Sequence, residues 1–490
     1  MSRLYFDASS YIHHPFHRMT GVERVAYELG KRLVARGARL VWFDPKVSAF
    51  RLFTPALQEL FSELEEIDVD ALIGAPSLKR GSYAISRQAA TWAASFYPHM
   101  PRILGIHWHT ERFALGRFVA AFDGMSPEER YEFARKLGLL TETSLQRKLA
   151  IRLKRRQWEE AIGLPIRFFP NDVYLSTNVS SSNGLRRYVR RAMRSRGLRY
   201  VHMFHDLLPL RHPEFVTGSH HVAEFRRFAH EVINMASVLT ANSKFVARDI
   251  EQYCIEAGLP KHQVIPVQLP AGVLAATATL TKRLEDLVAA SGPFALMVGT
   301  FQPRKNQGWL LGLWKELTSR IGERAPSLVF AGQLGWAYKD VLKEMQQDRS
   351  LWGRKIFFIE APSDEELAWL YQSCEFTLAP SLYEGWGLPI GEALAYGKYC
   401  LASDNTAIPE ASGGLAFTAP LDERDRWLAE IERISSDPAY LRSQTELISR
   451  AASSRRTWDD VAREMLKICT TAMANQAKGY LGSNAVRFGG

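Results

Sequence analysis

The chain has 490 residues, 46% hydrophobic and 23% charged, which suits a soluble globular protein and is too long for one compact core, so two domains are expected. The formal charge of +10 is local: segment 147–156 holds six Lys or Arg and no acid, segment 186–199 holds seven Arg and no acid, and the rest of the chain carries −3. No run of about 18 apolar residues offers a helical membrane span, and four scattered cysteines without a CxxC pair fit buried thiols in a reducing cytoplasm better than a disulfide frame or a zinc site.

In chain order, residues 3–9 read as a first strand in place of a signal-peptide core. A loop with Thr20-Gly21 then opens a helical run from Val22 to Arg36, with Val25, Leu29 and Leu33 on one face. Ala38 to Phe43 returns to strand, so the chain begins as a doubly wound sheet does. Residues 50–168 carry helical stretches without clear order and are expected to form a mostly helical insertion. Strands follow at Asp172–Thr177, Tyr200–Leu207, Val238–Ser243 and Val264–Val267, with Ser243 placed to cap a helix over Lys244–Ala257. A hinge is expected in the Ala-, Thr-, Pro- and Gly-rich stretch 270–292.

From Phe294 the alternation is cleaner. Strands are predicted at 294–299, 327–331, 355–359, 375–380, 399–402 and 415–418, with amphipathic helices between them, such as Gly308–Ile321 and Asp364–Cys374. This pattern predicts a parallel sheet covered on both faces, whose ligand site lies beyond the carboxyl ends of its strands. The loops 300–307, 332–336, 361–363, 381–387 and 403–408 should crowd one crevice.

The stretch Ser381-Leu-Tyr-Glu-Gly-Trp-Gly-Leu-Pro-Ile-Gly-Glu392 carries the densest chemistry. Gly385 and Gly387 permit close approach of a ligand to the backbone, Pro389 stands where a first helical residue belongs, and Gly397 where a helix stops. The helix N-terminus suits a phosphate. Glu384 in the loop and Glu392 a turn into the helix are acceptors, which make sense beside an anion site if the ligand also carries hydroxyls. A sugar joined to a nucleotide diphosphate is such a ligand. Val298-Gly-Thr-Phe-Gln-Pro-Arg-Lys-Asn306 adds Gly299 beneath the crevice and two cations, Arg304 and Lys305, able to fork or point at phosphate oxygens.

Arg304-Lys305, the loop Gly332-Gln-Leu-Gly-Trp336, the Glu-x7-Glu spacing of Glu384 and Glu392, Ile408-Pro-Glu410 and Trp458 together resemble the retaining glycosyltransferases of family 4, which have the GT-B fold. In the first half the resemblance extends to Thr20-Gly-Val-Glu-Arg24, to the segment from His205-Asp-Leu-Leu-Pro to Glu214, and to Ala241-Asn-Ser-Lys244. It implies two Rossmann-like domains with parallel sheets facing a central cleft. Residues 1–285 would hold the acceptor, with the insertion at about 50–168; 286–455 would hold the nucleotide sugar; and 456–490 would form a C-terminal helix and tail crossing back to the first domain. Carried over by motif, Arg304 and Lys305 would neutralise the departing diphosphate, and Glu384 would accept from donor sugar hydroxyls. Glu392 would accept from the nucleotide ribose, and the backbone at Gly387-Leu388 would touch the distal phosphate. His205 would project towards the reacting sugar, and Gly21, Gly299, Gly332 and Gly385 would flank the donor. No metal or other cofactor is implied. The His-Asp-Leu-Leu-Pro-Leu wording is similar to bacterial mannosyltransferases and favours GDP-mannose as donor, with a lipid-linked or polysaccharide acceptor. Two departures stand out: Thr300 occupies a position where many relatives carry Arg, and Gly21 stands alone where they often carry Gly-Gly.

Other features compete. Asp68-Val-Asp70, His13-His14 with His17, and His107 with His109 invite a metal, but lack confirming ligands. The basic helices 145–156 and 185–199 carry few of the aromatics that nucleic-acid stacking needs. They suit an anionic membrane surface, and equally suit ordinary helices with charged outer faces. The expected location is cytoplasmic, with the inner membrane face as the contact surface. Rival readings are a phosphorylase or hydrolase on the same fold and a non-catalytic sugar-nucleotide-binding or scaffold protein of a polysaccharide assembly complex.

Overall fold

In a computed structural model of the chain, residues 2–12, 21–45, 47–63, 162–179, 182–270, 272, 277–336 and 338–474 are described. The chain divides into two units, one of residues 1–6, 21–38 and 168–490 and the other of 7–20 and 39–167.

In the larger unit, two parallel sheets follow one another along the chain. The first runs β1 (Leu4–Asp7), β4 (Val173–Ser176), β5 (Arg199–Phe204), β6 (Val238–Ala241) and β7 (Val264–Pro266), in that spatial order. Its registers include Tyr5 opposite Tyr174, Leu175 opposite Val201 and Phe204 opposite Ala241. The second sheet has the order β10-β9-β8-β11-β12-β13, from β8 (Phe294–Val298), β9 (Ser327–Gly332), β10 (Ile356–Glu360), β11 (Phe376–Ala379), β12 (Cys400–Ser403) and β13 (Phe417–Ala419). The order in which strands are added reverses between β8 and β11, which stay parallel, and this puts a crevice at their carboxyl ends. Its strands are almost continuously apolar, as burial on both faces requires, and Leu296, Leu328, Val329, Phe376 and Leu401 form a core with Trp314 and Trp427 from the covering helices.

Local chemistry sets the boundaries. Ser243 accepts from Val246 N and starts the Lys244–Glu256 helix. Ser363 and Glu366 form a reciprocal capping box at the start of the Asp364–Ser373 helix. The last described helix, Trp458–Ala474, packs on the Gly21–Val34 helix and on β4 and β5, with Asp459 bound to Arg36 at 2.6 Å.

In the smaller unit, β2 (Arg39–Asp44) and β3 (Ala49–Leu52) pair antiparallel, and a helix spans Pro55–Glu63. The segment expected as a mostly helical insertion at about 50–168 thus opens with the end of a short strand before its first helix. Phe50 packs edge-on against Phe43, and Arg51 binds Asp44 at 2.8 Å, so cross-strand partners hold the segment extended. The rest of that expectation, together with His13, His14, His17, Asp68, Asp70, His107, His109 and the basic stretch 145–156, lies outside the described residues.

The second basic stretch is the Asn183–Arg196 helix, buried along Leu185, Val189 and Ala192 and exposed at Arg187, Arg191 and Arg194. Arg186, in the same basic run, is buried and bound to Glu231 at 2.8 Å. Among the described residues, no helix is long and apolar enough to cross a membrane.

Candidate functional site

The five loops beyond the second sheet are joined along one edge. Ala361 N donates to Gly332 O, and Gly299 N to Ala331 O. A side chain at Gly332 would stand 2.1 Å from Gly299 O, so this close passage requires glycine. Phe301 bridges to Gln333 and Gly335, and Leu382 N donates to Arg304 O at 2.7 Å. Glu384 N donates to Thr406 Oγ1, and Ser403 Oγ to Ser381 O. The expected crowding is therefore present, built mostly from backbone groups.

Within this edge, Pro303–Lys305 makes one tight helical turn, and Asn306, in the left-handed region at φ 64°, redirects the chain into the Gln307–Ile321 helix. The turn aims Arg304 and Lys305 at the same carboxylate. Arg304 lies 2.8 Å and Lys305 2.6 Å from the two oxygens of Glu384. Burial alone would raise the Glu384 pKa, but Arg304 and Lys305 outweigh it and hold the group down at about 2. Burial lowers the Lys305 pKa, while Glu384 opposes that shift. The group is a charge triad of one acid and two bases, ionised and net positive.

Gly387, at φ 103°, is the N-cap of the Leu388–Ala395 helix, which begins one residue earlier than Pro389 had suggested. Lys305, Glu384, Gly387, Ser381, Pro389 and Ile390, with Met297, Val298 and Ala379, line a small pocket. Gly299 borders it, since a side chain there would meet the Lys305 stem at 3.3 Å. Gly21 stands against Leu388, 3.4 Å from a Cβ position to its side chain.

Glu392 is buried in the helix, accepts from Tyr371 Oη at 2.9 Å, and lies so near Gly272 that a Cβ there would sit 2.1 Å from its stem. Burial raises its pKa, and Arg24 draws it back. Arg24 itself binds Asp364 at 2.8 Å.

His205, just past β5, is 7% exposed, and its Nε2 lies 2.8 Å from Thr177 O. A carbonyl only accepts, so Nε2 carries the proton and Nδ1 has none while the ring is neutral. Burial pushes its pKa down to about 4, against the raising effect of Thr177, so the ring is neutral near pH 7. A Cβ on Gly385 would stand 2.0 Å from the His205 carbonyl oxygen. The glycine loop of one sheet thus lies directly on the strand end of the other.

Arg304, Lys305 and Glu384 converge directly, Gly299, Gly387 and Leu388 surround them, and Gly385 joins them to His205. Glu392 lies one turn into the Leu388–Ala395 helix, Gly21 stands against Leu388 at its start, and Gly332 sits one strand away behind Gly299. Sequence reasoning did not single out Arg24, Tyr371 or Asp249 as site neighbours. Each is separated in sequence from its partner, and the only signal was Arg24 within the Thr20–Arg24 motif. Glu410 was noted by motif only. In the structure it accepts from Lys244 N, Phe245 N and Gln268 Nε2 at 2.7–2.8 Å, closing the start of the Lys244–Glu256 helix.

Residues 282–453 match the family model described as Glycosyl transferases group 1. The O-antigen chain mannosyltransferase B of Escherichia coli is 27% identical over 285 residues, covering 57% of this chain and 70% of that protein. The chain is a GT-B glycosyltransferase. It also resembles the serotype-specific mannosyltransferase WbdA of Escherichia coli, 26% identical over 263 residues, which cover 53% of this chain and 32% of WbdA. Among solved structures, Anabaena HepE in complex with UDP superposes with a TM-score of 0.54 at 14% identity, over 96% of this glycosyltransferase and 100% of that chain. A glycosyltransferase from Rickettsia africae gives 0.54 at 13% identity, over 97% and 99%. At such identities these two establish the fold alone.

Proposed function

We propose that this glycosyltransferase moves a hexose, mannose in preference, from a nucleotide diphosphate sugar to a lipid-linked or polysaccharide acceptor in bacterial surface glycan synthesis, with retention of anomeric configuration. GDP-mannose is the favoured donor. The observation that carries the reading is the convergence of Arg304 and Lys305 on Glu384, which with Lys305 lines a pocket at the start of the Leu388 helix. The mannosyltransferase relatives support the choice of sugar and the O-antigen setting.

Glycosyl transfer builds negative charge on the departing diphosphate while the sugar becomes oxocarbenium-like. Two fixed cations and the backbone N–H groups of Gly387 and Leu388 stabilise that charge more in the transition state than in the ground state. They supply this without a metal. On donor binding the diphosphate takes over the cations, and Glu384 is released from one or both of them to accept sugar hydroxyls. Glu392 accepts from the ribose. The leaving phosphate deprotonates the acceptor on the same face, which gives retention. Glu384 is a binding group in this scheme and not a nucleophile, unlike the carboxylates of a glycoside hydrolase. His205 keeps the sugar-side wall of the site neutral. The exposed arginines of the Asn183–Arg196 helix support contact with an anionic membrane surface from the cytoplasmic side.

The test is transfer from a panel of nucleotide sugars to a lipid-linked acceptor, with analysis of the product anomer. Arg304→Ala and Glu384→Ala should each remove at least nine-tenths of the activity. Unchanged transfer in both variants would overturn the site assignment.

A further inference from the structure

Tyr383, the residue before Glu384, is buried at 2% exposure, and its hydroxyl donates to Asp249 Oδ2 at 3.2 Å. Asp249 belongs to the Lys244–Glu256 helix, which covers the first sheet. Its other oxygen accepts from Arg211 Nε at 2.6 Å, and its backbone carbonyl from the same guanidinium at 3.0 Å. Arg211 is fixed in turn by Glu256 and stacks over Tyr253 at 5.3 Å. At the other end, the Tyr383 carbonyl accepts from Arg304 at 3.1 Å, the same Arg304 nitrogen that binds Glu384. The Tyr383 ring is held between His212 and Phe245, with centroids 5.2 and 5.8 Å away.

One side chain therefore has its ring and hydroxyl anchored in elements of the first sheet and its backbone bound to the cation of the second. A phenol packed on an apolar shelf would satisfy burial without a carboxylate. Here the hydroxyl is given to an acid that the Arg211 guanidinium has already oriented. Burial opposes ionisation of Asp249, and Arg211 offsets this. Such an arrangement fixes a position more than it adds stability, because taking two charges out of water offsets much of their attraction.

We infer that Asp249, oriented by Arg211 and acting through Tyr383, is a positioning residue that sets the placement of Arg304 and Glu384 in the donor pocket. The inference rests on the transferase reading above. Asp249 touches neither Arg304 nor Glu384 itself; its effect passes through one phenol and one peptide carbonyl. Loss of the link lets the Ser381–Gly387 loop drift, and misplacement of about 1 Å at a reacting centre is enough to lower turnover.

The test uses the full chain and compares Tyr383→Phe, which removes only the hydroxyl, and Asp249→Asn, with wild type. Steady-state transfer is measured with GDP-mannose and UDP-glucose, together with GDP binding by calorimetry and the unfolding midpoint. Each variant should lose at least fivefold in kcat/KM, and Tyr383→Phe should keep its unfolding midpoint within about 4 °C of wild type, as expected for one lost hydrogen bond. In a Glu384→Gln background the further effect of Tyr383→Phe should shrink to less than twofold, because the group being positioned is gone. Wild-type turnover in Tyr383→Phe, or an equal loss in both backgrounds, overturns the proposal. A wild-type protein that turns over neither donor refutes the transferase reading alone. The relay is then decided by GDP binding, which must weaken at least threefold in Tyr383→Phe for it to stand.

Discussion

Replacing Glu384 by glutamine keeps the shape of the side chain and removes the one carboxylate that Arg304 and Lys305 share. The side chains of Lys305 and Glu384 are 8% and 10% exposed, and that of Arg304 20%. Removing one partner of a buried pair costs about 3–5 kcal/mol, because a charge is left without compensation. The lower end applies, since Arg304 can turn towards solvent. If the ~200-residue second half unfolds as a unit, about 3 kcal/mol lowers its unfolding midpoint by roughly 6–12 °C. The same change leaves two cations unsatisfied in a pocket built for an anion. A nucleoside diphosphate should then restore more of the midpoint in Glu384→Gln than it adds to wild type, since the ligand takes over the role of the lost carboxylate. Thermal unfolding with and without GDP or UDP, beside transfer rates, reads all three quantities. A variant as stable as wild type, or one whose midpoint rises no more with nucleotide, would refute the view that Glu384 stands in for the diphosphate.

Gly385→Ala should do more damage than any exposed glycine change. Its Cβ would stand 2.0 Å from the His205 carbonyl oxygen, and backbone cannot rotate aside; transfer should fall at least tenfold, and the Gly385→Ser variant should fare no better. Glu410→Ala removes the acceptor for Lys244 N and Phe245 N and should cost about 1–2 kcal/mol, read as faster amide exchange in the first turn of the Lys244–Glu256 helix. Burial holds the His205 pKa at about 4 against 6.5. The folded state therefore disfavours the proton: stability from this group is fully present above pH 6.5 and is lost as pH falls through 4, by about 3 kcal/mol in all. His205→Gln should flatten the stability–pH curve in that window, with His202, pushed down to about 3, supplying the remaining slope.

The second half was legible because its strands announce themselves. Phe294–Val298 and Ser327–Gly332 are apolar runs broken by glycine at their carboxyl ends, and parallel alternation then forces Arg304, Lys305 and Glu384 to one edge although 79 residues separate Lys305 from Glu384. What the residues could not show was how they satisfy one another without ligand. Nothing local to Glu384 says that both cations rest on it, or that Tyr383 reaches across 134 positions to Asp249. Ala49–Leu52 carried no strand signal for a related reason: its strand character comes from Phe43 and Asp44 across the pair, and four residues carry too little pattern of their own. Nothing local marks Arg186 as the buried member of its basic run, because its partner Glu231 lies 45 residues on.

The helix Trp458–Ala474 has a consequence for how the protein is made. It covers β4 and β5 and the Gly21–Val34 helix with Trp458, Val461, Met465 and Cys469, all buried. During synthesis, about 270 residues must still be added after β5 leaves the ribosome before this cover arrives, which takes roughly 15–50 s at ordinary elongation rates. Through that interval the apolar face waiting for Trp458 stays open to water and to other chains. The first sheet is thus begun early and closed last, and truncation before residue 458 should yield a chain prone to associate with itself.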